Sequence, residues 1–192
     1  MQPMRTGLFV LLPVVLGSHV ARAGELDLNL GLQATHTQWN GDHGGGPTLG
    51  VSWFFKHWIG ANFIGKEHYA SVDDRFMSYF SLNAIVRHRF TDHVRLAATA
   101  GVVHQHEETQ SAVDDMPVAS AFGVADGIRH RMGVRTGAQL AFPVSQLTKG
   151  DLYVALDLDT TYFADQDRGP RWMLSAGLSF GVTRDFDRKA AK

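Results

Sequence analysis

The densest group of chemistry-bearing residues in this chain is His104-Gln105-His106-Glu107-Glu108. In an extended segment alternate residues share a face, so His104 and His106 would present two imidazoles side by side, the beginning of a zinc or copper site. Spacing fixes no third ligand and a solvated rim is the simpler account, so neither a metal nor any other cofactor is assigned. Carboxylates recur in what read as connecting segments: Asp42, Asp73, Asp74, Glu107, Glu108, Asp114, Asp115, Asp165 and Asp167. Such oxygen ligands suit Ca²⁺ or Mg²⁺, and ordinary solvated charge explains them as well. A third group, Arg87, Arg95, Arg129, Arg131 and Arg135 with Asp27, Asp157 and Asp159, lies inside segments of alternating polarity.

That alternation must position all three groups. From Ile128 to Phe142, His130, Met132, Val134, Thr136, Ala138, Leu140 and Phe142 share one face with Ile128, while Arg129, Arg131, Gly133, Arg135, Gly137, Gln139 and Ala141 share the other. Seven further segments repeat the pattern: about Glu25 to Trp39, Thr48 to Phe55, Trp58 to Tyr69, Phe76 to Phe90, Val94 to His106, Asp151 to Phe163 and Pro170 to Val182. Eight strands place both termini on one side, with short turns near Lys56, Asp92 and Val144 there and longer connections near Asn40, Ala70, Glu107 and Ala164 on the other. A further short strand around Met116 to Ala125 would break the even count.

The chain opens with an apolar stretch from Gly7 to Gly17 and then Ala21-Arg22-Ala23, a small-x-small cleavage pattern. Residues 1–23 therefore read as a signal peptide, too short in its apolar part to span a membrane as a helix. The remainder divides into a single barrel, 24–183, and a short polar periplasmic tail, 184–192. Cysteine is absent, so this exported chain must hold together without disulfides. A net charge of −1 with no block of like charge excludes a basic nucleic-acid binder.

Alternation fits either a membrane barrel with an apolar exterior or a soluble barrel with an apolar interior. Composition separates them. The polar faces carry Gly, Ser, Thr, Asn, Gln and Arg with some Asp, whereas Lys56, Lys66, Lys149, Lys189 and Lys192 read as strand ends, turns or tail. Segments exceed the ~9–11 residues that a tilted membrane strand needs. Trp39, Trp53, Phe54, Trp58, Tyr69, Phe76, Phe90, Phe142, Phe163 and Trp172 gather toward segment ends, where interfacial girdles form.

Ser175, Gly177, Phe180 and Val182 follow the spacing of a carboxy-terminal insertion signal: a polar residue, a glycine two later, then apolar residues three and five beyond. On these residues, the leader and the eight segments, the mature chain resembles the small OmpA/OmpX-like outer-membrane barrels of Gram-negative bacteria. The usual terminal aromatic is replaced by Val182. The resemblance implies an all-β, eight-stranded antiparallel up-and-down transmembrane barrel, inserted by the barrel-assembly machinery among outer-membrane lipid and lipopolysaccharide. Acidic outer loops would there meet a surface bridged by divalent ions.

A barrel of that size is filled by side chains, so the arginines and aspartates should pair in a lumen network. A structural or surface-interaction role follows, with a narrow porin-like or uptake channel past the same arginines as the competitor. The chain also invites comparison with lipid A deacylases, barrel enzymes carrying a His-x-Ser motif. That motif does not occur: His104 is followed by Gln105-His106 and His130 by Arg131-Met132. No catalytic residue is assigned.

Overall fold

A computed structural model describes residues 24–38, 41–70, 75–121, 128–164 and 171–186. Eight strands run in chain order: β1 Glu25–Thr37, β2 His43–Lys56, β3 Ile59–Ala70, β4 Arg75–Thr91, β5 Val94–Thr109, β6 Arg129–Leu147, β7 Gly150–Phe163 and β8 Arg171–Asp185. Each pairs antiparallel with its neighbours, and β8 returns to β1 to close the barrel. The leader falls outside the described residues.

The alternating segments become these strands, with shifted bounds. β2 starts at His43 rather than Thr48, taking in the glycine run that reads as a loop. A Cβ at Gly44 would stand 1.7 Å from the Tyr69 carbonyl oxygen, so only glycine lets β2 and β3 approach there. β6 extends to Leu147 past Pro143, because the β6–β7 register shifts between Pro143 and Ser145, a bulge that accommodates the missing proline N–H. β8 runs two residues past the expected boundary at 183. Beyond it the Phe186 N–H donates to the Gly24 carbonyl (3.0 Å) and its ring lies 5.7 Å from that of Trp53.

Among the described residues, the additional strand considered near Met116 to Ala125 does not form. The short helix α2 Pro117–Ala121 occupies its described part, preceded by another short helix, α1 Gln110–Asp115. β5 pairs directly with β6 from Arg95 to Glu107, which leaves no slot in the ladder for a ninth strand.

The outside of the barrel is an apolar belt. Reading across β3 to β6 in register, one ring is Phe63, Leu82, Val102 and Val134, and the next is Ala61, Ala84, Ala100 and Thr136. Leu30, Leu32, Leu82, Val102, Leu156, Leu178 and Phe180 are all more than half exposed. Soluble proteins rarely leave so continuous an apolar surface in water, and lipid is the solvent that fits it. No helix among the described residues is long and apolar enough to cross a membrane, so spanning falls to the strands. The girdle holds for Trp53, Trp58, Tyr69, Phe90, Phe142 and Trp172, but Phe54 and Phe163 are buried inside the barrel. Each is out of phase with its outward neighbours, and its ring fills the lumen instead.

Leu82 lies halfway along the lipid-facing side of β4. Leu82→Arg should cost about 2–4 kcal/mol, the range for a cation at the bilayer midplane. Urea unfolding in phospholipid vesicles would measure it, and an unchanged midpoint would contradict the belt.

Candidate functional site

The inward face of every strand converges on a narrow space in which charges are sorted into tiers. At the end bearing the short turns, Glu25 accepts two hydrogen bonds from the Arg87 guanidinium, which lies 3.9 Å over the Phe54 ring. Arg95 pairs with Asp151, and the half-exposed Arg89 approaches both Glu25 (3.6 Å) and Asp151 (3.9 Å). The Tyr153 hydroxyl donates to Asp27. That phenol ring passes directly over Gly181, where a Cβ would come within 2.1 Å of it.

Half way up, Asp159 holds Lys66 (3.3 Å) and Arg135 (3.4 Å), and Lys66 also donates to Ser175 Oγ at 2.6 Å. Ser175 is joined in turn to Thr35 across the closing seam (2.9 Å). Asp157 accepts from Gln139 (2.9 Å) and Ser179 (2.6 Å). At the end bearing the longer connections, Glu107 is ringed by Arg75, Arg131 and Arg171. An apolar cluster of Met77, Tyr79, Val103, Phe163 and Met173 adjoins that tier.

Little room remains. Cavities of about 20 and 40 Å³ lie inside, the first beside Glu107 and Arg171, the second beside Asn62, Arg135 and Asp157. Each is large enough for one or a few waters only. Desolvated charges in such a space are tolerable because Glu25, Asp151, Asp159 and Glu107 face guanidinium or ammonium groups, while Asp27 and Asp157 accept hydrogen bonds from neutral donors.

Of the residues expected in the lumen, Asp27, Arg87, Arg95, Arg131, Arg135, Asp157 and Asp159 point inward. They divide among the three tiers rather than forming one network. Arg129 is exposed at the outer mouth, in register with Glu107 of β5. Glu25, Lys66, Arg75, Glu107, Asp151, Tyr153 and Arg171 complete the tiers, although the sequence does not mark them as lumen charges. In sequence Lys66 looks like a strand end and Glu107 like a loop residue, yet both keep the two-residue phase of their inward neighbours, Ile64 and Gln105. The acidic-loop picture changes accordingly. Asp42, Glu107 and Glu108 are buried, Asp114 and Asp115 are exposed on α1, and Asp73, Asp74, Asp165 and Asp167 lie outside the described residues. In the insertion-signal segment, Ser175 and Gly177 face the lumen, Phe180 faces outward, and Val182 pairs with Leu28 and Leu152.

The outer edge of the belt carries a second polar group. One row in register across four strands reads Glu67, Ser78, His106 and His130, with His104 two residues below His106 on the same face. His106 and Glu108 are buried although they point outward, and α1 lies against the outer ends of β4 and β5. Serine, histidine and glutamate thus come together without the compact motif. The Ser78 hydroxyl, however, donates to Glu67 (2.7 Å) rather than to an imidazole. The pairing register, absent from the sequence, is what adds His130 to the histidine pair.

Glu107→Gln would leave three arginines around a neutral amide. Breaking a buried ion pair from one side typically costs about 3–5 kcal/mol. The variant should lose its folded gel mobility at a clearly lower temperature than the parent, and equal temperatures would show that Glu107 is dispensable to the tier.

No family model and no curated protein matches the chain. Solved structures do. The attachment invasion locus protein Ail of Yersinia pestis superposes with a TM-score of 0.54 at 17% identity, over 84% of this chain and 99% of Ail. Neisserial surface protein A gives 0.55 at 10% identity, over 84% and 96%. The outer membrane protein OprG of Pseudomonas aeruginosa gives 0.52 at 9% identity, over 84% and 96%. At these identities the likeness is one of architecture: the chain has the fold of the small eight-stranded outer-membrane barrels.

Proposed function

We propose that this protein is exported by cleavage of residues 1–23, inserted into the outer membrane by the barrel-assembly machinery, and works there as a closed barrel. Its role is structural or in surface interaction, in contact with outer-membrane lipid and lipopolysaccharide, and not in transport or catalysis. The carrying observation is the middle tier, where Lys66, Asp159, Arg135, Ser175 and Thr35 link β3, β7, β6, β8 and β1 across the lumen. An ion crossing it would have to displace a buried, hydrogen-bonded charge, a cost of several kcal/mol. Similar barrels bear names that fit a surface role: the Yersinia protein is an attachment invasion locus protein, solved in complex with the heparin analogue sucrose octasulfate, and the Neisserial one is a surface protein.

Two measurements test this reading. Planar-bilayer recordings of the purified protein should show no steady open level, and a stable conductance would favour the channel. Mass spectrometry of lipid A from cells expressing the protein should show every acyl chain retained. Loss of one chain, abolished by Ser78→Ala, would make the outer row an acyl-hydrolase site instead.

A further inference from the structure

Three of the ten histidines meet at one spot. His104 and His106 project from the outer face of β5, and His130 projects from β6 directly opposite His106. One ligand nitrogen from each lies within 4.8 Å of the others, and His104 Nε2 stands 3.2 Å from His130 Nδ1. Two nitrogens each bound at ~2.0–2.1 Å to a tetrahedral ion are about 3.3 Å apart. The existing separation therefore suits joint coordination without backbone movement.

Two more features point the same way. The Nδ1 atom of His106 is buried and has no hydrogen-bond partner, a rare condition for a polar atom. His104 Nδ1 lies 2.9 Å from the Met132 sulfur. A thioether can only accept, so this contact puts the proton on Nδ1 and leaves the Nε2 lone pair facing His130. An outer partner that fixes the tautomer of a ligating imidazole is a regular part of metal sites.

We propose that His104, His106 and His130 bind one borderline transition-metal ion, zinc or copper(II), at the outer edge of the apolar belt. Imidazole nitrogens select these ions over Ca²⁺ and Mg²⁺, which require oxygen. His104 and His106 lie on β5 where it pairs with both β4 and β6, and His130 is held in register against His106, so the ligands stand on the sheet rather than on a loop. The edge of the Phe80 ring packs against His106, walling the site on one side, while the exposed His130 gives the ion a way in. Three protein ligands leave a fourth position open to water.

The test is calorimetric titration of the full-length, tag-free protein in detergent with zinc chloride and, separately, copper(II) sulfate. One ion per chain is expected. His130→Gln should weaken binding by more than ~100-fold, since even loss of an outer partner costs 10–100-fold. A His36→Gln/His43→Gln double variant, which alters the other outward-facing pair of imidazoles with rings 6.0 Å apart, should bind as the parent does. Folded gel mobility must be retained in both variants, which the exposure of His130 favours. Absence of saturable uptake would overturn the proposal. So would one-to-one uptake that survives His130→Gln, or that disappears in the His36→Gln/His43→Gln variant.

Discussion

Closure of the hydrogen-bonded ladder between β1 and β8 is the constraint on which everything else in this molecule depends. Inside a bilayer no water is present to satisfy a free strand edge, so a sheet can span only by meeting itself. Here the seam pairs Glu25 with Asp185 and continues without a register shift to Thr37 opposite Met173. Closing with eight strands leaves a bore about as wide as the side chains that line it. The inward residues must therefore fill the space, and any charge among them must find its opposite within a few ångströms. The tiers around Glu25, Asp159 and Glu107 follow from strand number before any question of function arises.

The two faces then diverge in what they can do. Inward side chains are committed to one another, as Lys66 is to Asp159 and Ser175. Outward side chains in the belt are committed to lipid. Chemistry is left to the edges, where strands leave the apolar belt and polar groups can face outward without desolvation on all sides. The row from Glu67 to His130 occupies that position, and its members come from four different strands.

Strand number, orientation of the faces and most of the lumen charges were legible in the sequence because a period of two is local information. The glycine run at Gly44 to Gly46 and the continuation of β6 past Pro143 were not, since local propensity disfavours both and only a neighbouring strand explains them. Glu107 and Lys66 were misplaced for a related reason: a charge near an apparent strand end looks solvated until the opposite charge is known. His130 illustrates the general limit. Its membership of the histidine group depends on the β5–β6 register, a relation between segments that neither contains alone.

The seam also bears on how the barrel comes into being. Thr35 and Ser175, joined within it, are 140 residues apart along the chain. Contacts so remote in sequence form late and slowly, because loop-closure entropy is spent before they return anything. Until they form, Lys66 and Asp159 lack the serine and threonine that complete their tier, and a half-closed sheet would carry those charges poorly compensated in lipid. Assembly should thus be a cooperative event with few stable intermediates. Once closed, the barrel must break the same remote contacts together to open, which makes its durability kinetic as much as thermodynamic.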